Sequence, residues 1–246
     1  MFFAVNDNMR LQFIACKVIQ KEAYLCAAYS KNVVDIVLLP QGLHNEPDKL
    51  RSEVQKALEV TTDIKGEPYD ATLLGYGLCS NGIVGLNAKI PIVVARAHDC
   101  ITLLLGSKEK YQDYFDSHKG VYWYSNGWIA TNTQPGKERY EKTLNEYIQK
   151  YGQDNAEYLM EMEQNWMKEY NWAAYIDWQL ATSQQDREYT KKCAEYMNWK
   201  YDEIKADKTL MQKLVDGDWN EEEFLIIKPG QKIIEDLTEK GIISSK

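Results

Sequence analysis

Four short apolar runs, separated by helix-like segments, are the feature that most constrains the fold of this chain. Leu11 to Ile19 (LQFIACKVI), Val33 to Leu39 (VVDIVLL), Ala71 to Tyr76 and Pro91 to Ala95 (PIVVA) are too apolar to alternate between a wet and a dry face. Strands of that kind belong to parallel sheets covered on both faces. The intervening segments supply the covers. Gln20 to Tyr29 reads as a helix. Pro47 to Val60 reads as another, with Pro47 in its first turn and Leu50, Val54, Ala57 and Leu58 on one apolar face. The expected class is α/β, an open and mainly parallel sheet with helices on both faces.

The pattern changes further on. Val121 to Tyr124 and Trp128 to Thr131 read as two short strands or an edge hairpin about Asn126-Gly127. Lys137 to Lys150, Asp154 to Trp178 and Gln184 to Trp199 read as helices. In the second of these, Tyr158, Met162, Trp166 and Tyr170 recur every four residues as one packing stripe. All 7 Trp lie from Trp123 onward, which sets this aromatic-rich helical region apart. Phe224 to Ile227 (FLII) reads as a late returning strand, and Ile233 to Lys240 as a closing helix. The organisation expected is a core over 1–134, a helical cap over 135–222, and 223–246 completing the core, all in a single compact unit.

Composition removes several functional classes. A formal net charge of −8 opposes binding to nucleic-acid phosphates or anionic membranes. No apolar run approaches the roughly 20 residues of a membrane span, and the first residues lack the order of a signal peptide. Five cysteines, with no paired C-x-x-C spacing, do not form a secreted disulfide framework. The expected compartment is a reducing, cytoplasmic one, where thiols are core residues, ligands or nucleophiles.

In an open parallel sheet, ligands bind beyond the carboxyl ends of the strands. Residues at those ends here are Cys16, His44, Cys79, His98 and Cys100, five of the eight Cys and His residues in the chain. That enrichment makes the strand ends the candidate site. Thiolate with imidazole suits zinc or another borderline-soft metal, and Cys16, His44, Cys79 and Cys100 form the candidate ligand set. An iron–sulfur cluster is an alternative use of the thiols. Buried core thiols, and exposed loop imidazoles, are the plainer readings.

Around them lies the unusual segment Gly75-Tyr76-Gly77-Leu78-Cys79-Ser80-Asn81-Gly82. It matches neither a dinucleotide fingerprint nor a P-loop. Gly77, Ser80, Asn81 and Gly82, with Arg96, are candidates to hold a small anionic ligand. A tight, closely packed turn is the competing account. In Arg96-Ala97-His98-Asp99-Cys100, Asp99 suits a helix cap. Cys100 in the first turn would then have a depressed thiol pKa, making it a candidate nucleophile with His98 or His44 as base. Cys26, Cys193 and His118 fall outside the proposed site.

The segments IACKVI, LLPQGLH, YGLCSNGIVGL, RAHDCITLLLGS and FLIIKPG, with the stretch Tyr151 to Ala156, resemble the uncharacterised family called domain of unknown function 1638. Members are similar to proteins encoded alongside corrinoid-dependent methyltransferases. The resemblance therefore implies a role in corrinoid-linked methyl-group or one-carbon metabolism. It implies either a metal or corrinoid at the site or a corrinoid protein or methyltransferase as binding partner.

Overall fold

The computed structural model describes residues 8–236 and 242–246. They divide into two compact units, residues 1–111 with 207–246, and residues 112–206.

The first unit opens with β1 (Arg10–Cys16), α1 (Gln20–Tyr29), β2 (Val33–Leu39), α2 (Pro47–Leu58), β3 (Ala71–Gly75), β4 (Ile92–Ala95) and α3 (Ile101–Leu105). Each strand falls on an apolar run, and β1, β3 and β4 are buried almost throughout. In α2 the buried residues Leu50, Val54 and Leu58 are four apart and form one stripe. Each contributes roughly 1.5–3 kcal/mol by leaving water. The strand order is β2-β1-β3-β4, all parallel. The chain thus steps outward from β1 to β2, then crosses back to β3 on the other side of β1. Right-handed crossovers of opposite direction put α1 and α2 on opposite faces. They also open a crevice between the carboxyl ends of β1 and β3, the switch point where such sheets bind ligands.

The second unit contains most of α4 (Lys108–Ser117), then β5 (Val121–Ser125), α5 (Asn126–Thr131), α6 (Lys137–Tyr151), α7 (Gln153–Gln164), β6 (Trp172–Asp177), α8 (Ser183–Met197) and β7 (Lys200–Lys205). Its three strands form a second parallel sheet, β5-β6-β7. The expected all-helical cap is therefore corrected to an α/β unit of its own. The helix expected to run to Trp178 stops at Gln164, tightens into a 3₁₀ turn over Asn165–Glu169, and gives way to β6. That break splits the four-residue stripe. Tyr158 and Met162 are exposed, while Trp166 and Tyr170 pack on a core of Tyr124, Tyr175, Cys193 and Trp199. The expected strand at Trp128 is the helix α5, started by the Ser125 hydroxyl accepting from the Trp128 N–H at 3.2 Å.

The chain returns to the first unit with α9 (Thr209–Asp216), which packs on α1 and β4, and β8 (Phe224–Ile227). As expected, β8 is a returning strand. It closes the sheet antiparallel to β4. The expected closing helix is corrected. Ile233–Glu235 is the strand β9, paired antiparallel with β10 (Ile243–Ser245). The remainder of that expected helix, 237–240, lies outside the described residues. Among the described residues no helix is long and apolar enough to cross a membrane.

Candidate functional site

Cys16 is the last residue of β1, at the switch point. Beyond β3 the chain stays hydrogen-bonded to the segment beyond β4. The Leu78 N–H donates to the Ala97 carbonyl at 2.8 Å and the Cys79 N–H to the His98 carbonyl at 2.9 Å. This zipper brings the Cys79 and Cys100 segments side by side. It also explains Gly77. A β-carbon there would lie 2.5 Å from the Asp99 nitrogen and 2.7 Å from the Ala97 carbonyl oxygen, so only glycine lets the two segments close. Gly82 likewise leaves room for the Leu50 side chain. For these two glycines close packing is the observed role.

Directly after the zipper, Cys79, Ser80 and Asn81 all adopt left-handed backbone conformations, with φ of 46°, 56° and 63°. For residues with a β-carbon this costs roughly 1–2 kcal/mol each. Strain of that kind concentrates at functional positions. Arg51 of α2 holds the strained loop. Its Nε donates to the Val84 carbonyl at 2.6 Å and Nη2 to the Asn81 carbonyl at 3.0 Å, while Nη1 meets Asp48 at 2.7 Å. Sequence reading missed Arg51, because an arginine within a helix carries no sign of its distant carbonyl partners. Replacing Arg51 by Ala is expected to cost about 1–2 kcal/mol. It should also raise hydrogen exchange across residues 80–85, measurable by mass spectrometry. Unchanged exchange there would show that the loop holds its shape without the clamp.

Cys16, Tyr76, Cys79 and Cys100 share one buried neighbourhood in which a charge on any thiol disfavours charge on the others. Burial, reinforced by the Asp99 carboxylate and Cys16, pushes the Cys79 thiol up to about 12. Burial raises the Cys16 thiol as well. The Cys100 thiol is raised well above its ordinary value, first by burial and then by Cys79, Asp99 and Cys16. The expectation of a depressed Cys100 pKa is thereby corrected. α3 spans five residues, and its dipole does not offset desolvation of the sulfur. A nucleophilic thiolate at Cys100 loses its electrostatic basis.

Two polar atoms at this edge are enclosed without a hydrogen-bond partner, the Tyr76 hydroxyl beyond β3 and Gln41 Oε1 beyond β2. Each such atom costs about 1–3 kcal/mol if nothing fills its place. Sequence reading missed both, because neither tyrosine nor glutamine is unusual at a strand end.

The remaining candidates divide. The helix N-cap position expected of Asp99 falls to Cys100; one residue earlier, Asp99 Oδ1 accepts from the Ile101 N–H at 2.9 Å and Oδ2 from the Tyr111 hydroxyl at 2.9 Å. Burial raises its carboxyl pKa despite these donors. His44 is exposed, in a turn begun by Gly42. Partial desolvation lowers its imidazole pKa, against the pull of Asp99. His98 and Ser80 are exposed. Asn81 donates to Glu235 at 3.2 Å. Arg96 is committed elsewhere, its guanidinium donating to the backbone carbonyls of Glu221 and Ile243. It thereby ties the segment after β4 to Glu221 and to β10. Among the described residues, no group of three or more His, Cys, Asp or Glu side chains forms an arrangement able to hold a metal ion. The four-ligand set is thus gathered only as far as its three thiols. Cys26 and Cys193 are buried in helices, and His118 stacks on Tyr114 in the second unit, all as structural residues.

No curated protein and no solved structure matches the chain. A family model matches residues 38–215, a span that includes His44, Cys79 and Cys100 and leaves Cys16 outside. By that match the chain belongs to the family described as protein of unknown function (DUF1638).

Proposed function

We propose that this chain is a ligand-binding α/β protein whose site is the switch-point edge of the sheet, at Cys16, Tyr76, Cys79 and Cys100. Its ligand, on this reading, is a soft, thiol-seeking metal species, zinc first among simple ions. The supporting observation is the convergence of three thiols, Cys16 and Cys79 buried and Cys100 half-buried as a residue, on an enclosed hydroxyl that has no partner. Structural thiols are usually solitary and sit in apolar packing. Here they gather beside orphaned polar atoms, at the one place where the sheet topology opens a crevice. The side chains do not form a metal-holding group as they stand, so uptake requires the thiols to rearrange and lose their protons. Uptake should therefore strengthen as pH rises. His44, whose imidazole feels the Asp99 carboxylate, is the candidate fourth donor. The setting we assign is corrinoid-linked methyl-group metabolism, following the resemblance.

The test is metal and cofactor analysis of protein purified without oxygen, followed by titration with zinc and cobalt. About one bound equivalent per chain is expected, lost on combined replacement of Cys79 and Cys100 by serine in a variant that keeps its circular dichroism. Absence of any bound equivalent, before or after titration, would overturn the reading.

A second reading, a non-catalytic binding partner of a corrinoid protein or methyltransferase, is favoured by one observation. The second unit exposes Tyr151, Tyr158, Met162 and Tyr196 on α6, α7 and α8. Capture of a purified corrinoid protein that survives loss of the thiols would support this reading over the first.

A further inference from the structure

Tyr76 is the residue of the thiol site that packing does not account for. It is the first residue beyond β3, its ring buried and its hydroxyl enclosed without a hydrogen-bond partner. Buried tyrosine hydroxyls ordinarily find one. The backbone on either side cannot shift to supply it. At Gly75 a β-carbon would lie 2.7 Å from the Ala15 side chain and 2.9 Å from Phe13, and Gly77 is closed by the backbone of Ala97 and Asp99. Tyr76 is therefore pinned against β1 at one neighbour and against the segment after β4 at the other. Phenylalanine would fill the same space without an orphaned oxygen, so packing alone does not call for the hydroxyl. Burial first, and then any charge on Cys16, Cys79 or Cys100, opposes its ionisation, so beside the thiols it is a neutral O–H donor.

We propose that Tyr76 is a positioning residue whose hydroxyl donates to a small non-protein ligand carried by the thiol-bound metal, so that the species held here keeps one exchangeable coordination position. The role rests on the metal-binding reading and deepens it. Three thiolates fill three positions of a tetrahedral ion. Zinc sites closed by four protein side chains are structural, whereas sites with three protein ligands keep the fourth position for water or another small ligand. Hydrogen-bonding groups around a metal orient the atoms bound to it. A buried hydroxyl with nothing of the protein to bond is suited to that task. Because the hydroxyl is a neutral donor, the ligand it favours is a small anion, held by a charge-assisted hydrogen bond. Closure of the set by His44, the candidate fourth donor, would leave the Tyr76 hydroxyl still without a partner. The open and the closed arrangement thus make opposite predictions.

The full chain loaded with cobalt tests this, with azide as the probe, because the visible spectrum of bound cobalt changes when a ligand exchanges. Wild type and Tyr76→Phe are both expected to take up cobalt. Azide should change the wild-type spectrum saturably. In Tyr76→Phe its binding should weaken about tenfold or more, the loss of one hydrogen bond to a charged group. Without metal, the same variant should show a higher urea midpoint than wild type, because an unpartnered oxygen has left the interior. Higher metal-free stability together with weaker azide binding is a pair of effects that a purely structural hydroxyl does not produce. Bound cobalt that gives no response to azide, as in a set closed by His44, overturns this proposal alone. So does azide binding of equal strength in wild type and variant, or a lower midpoint for the metal-free variant. Absence of bound cobalt in wild type overturns the metal-binding reading, and this proposal with it.

Discussion

Gly77→Ala is expected to destabilise the first unit by about 2–3 kcal/mol, the cost of forcing a methyl group into a space closed by backbone. The added carbon would lie 2.5 Å from the Asp99 nitrogen and 2.7 Å from the Ala97 oxygen. Neither is the end of a flexible side chain that could swing aside. Relief can come only by parting the two segments, which breaks the bonds from Leu78 to Ala97 and from Cys79 to His98. Urea denaturation followed by fluorescence reads the stability. Hydrogen exchange at the Leu78 and Cys79 amides reads the mechanism. A variant within about 0.5 kcal/mol of wild type, the range of an ordinary surface substitution, with both amides still protected, would show that the zipper tolerates separation.

The second large effect is chemical. In protein stripped of metal by a chelator, Cys79 should be alkylated by iodoacetamide at pH 8 about a thousandfold more slowly than in the unfolded chain. Its thiol, pushed up to about 12 from an ordinary 9, presents that much less thiolate. Cys100 should be similarly inert. Because the folded pKa is raised, the neutral thiol favours folding below pH 9, and the benefit is lost as pH rises from 9 towards 12. The stability gap between wild type and Cys79→Ala should therefore narrow on the order of 2 kcal/mol between pH 8 and pH 11. A native-state Cys100 that alkylates at the unfolded rate would instead restore the case for a thiol nucleophile.

The first unit was legible because its strands are buried on both faces, and such strands announce themselves as unbroken apolar runs. β2 and β8 fall at the boundaries their residues indicate, as does α1. The second sheet was not legible for the opposite reasons. β7 (KYDEIK) is an edge strand with a largely solvated surface, so no apolar run marks it. β6 begins Trp-Ala-Ala and follows a helix with four-residue periodicity, so its alanines read as more helix. Burial of both alanines, Ala173 among aromatic neighbours, decides the matter, and that is a tertiary fact. At the site, topology alone brought Cys16, Cys79 and Cys100 to one edge. The state of their protons depended on desolvation, which no residue spacing reveals. The partners of Arg96 are backbone carbonyls more than a hundred residues away, which no local pattern reveals.

The division of the first unit into residues 1–111 and 207–246 has a consequence for the order of events in synthesis. β4 ends at Ala95, and its partner β8 begins only at Phe224. At a ribosomal rate of roughly 5–20 residues per second, the nascent chain carries an unpaired β4 edge for on the order of ten seconds. The intervening residues 112–206 have their own core and can condense during that wait. The last strand then docks onto a sheet otherwise already assembled. Slowing translation beyond codon 206 should prolong the vulnerable interval, and with it the dependence of soluble yield on chaperones that mask open strand edges.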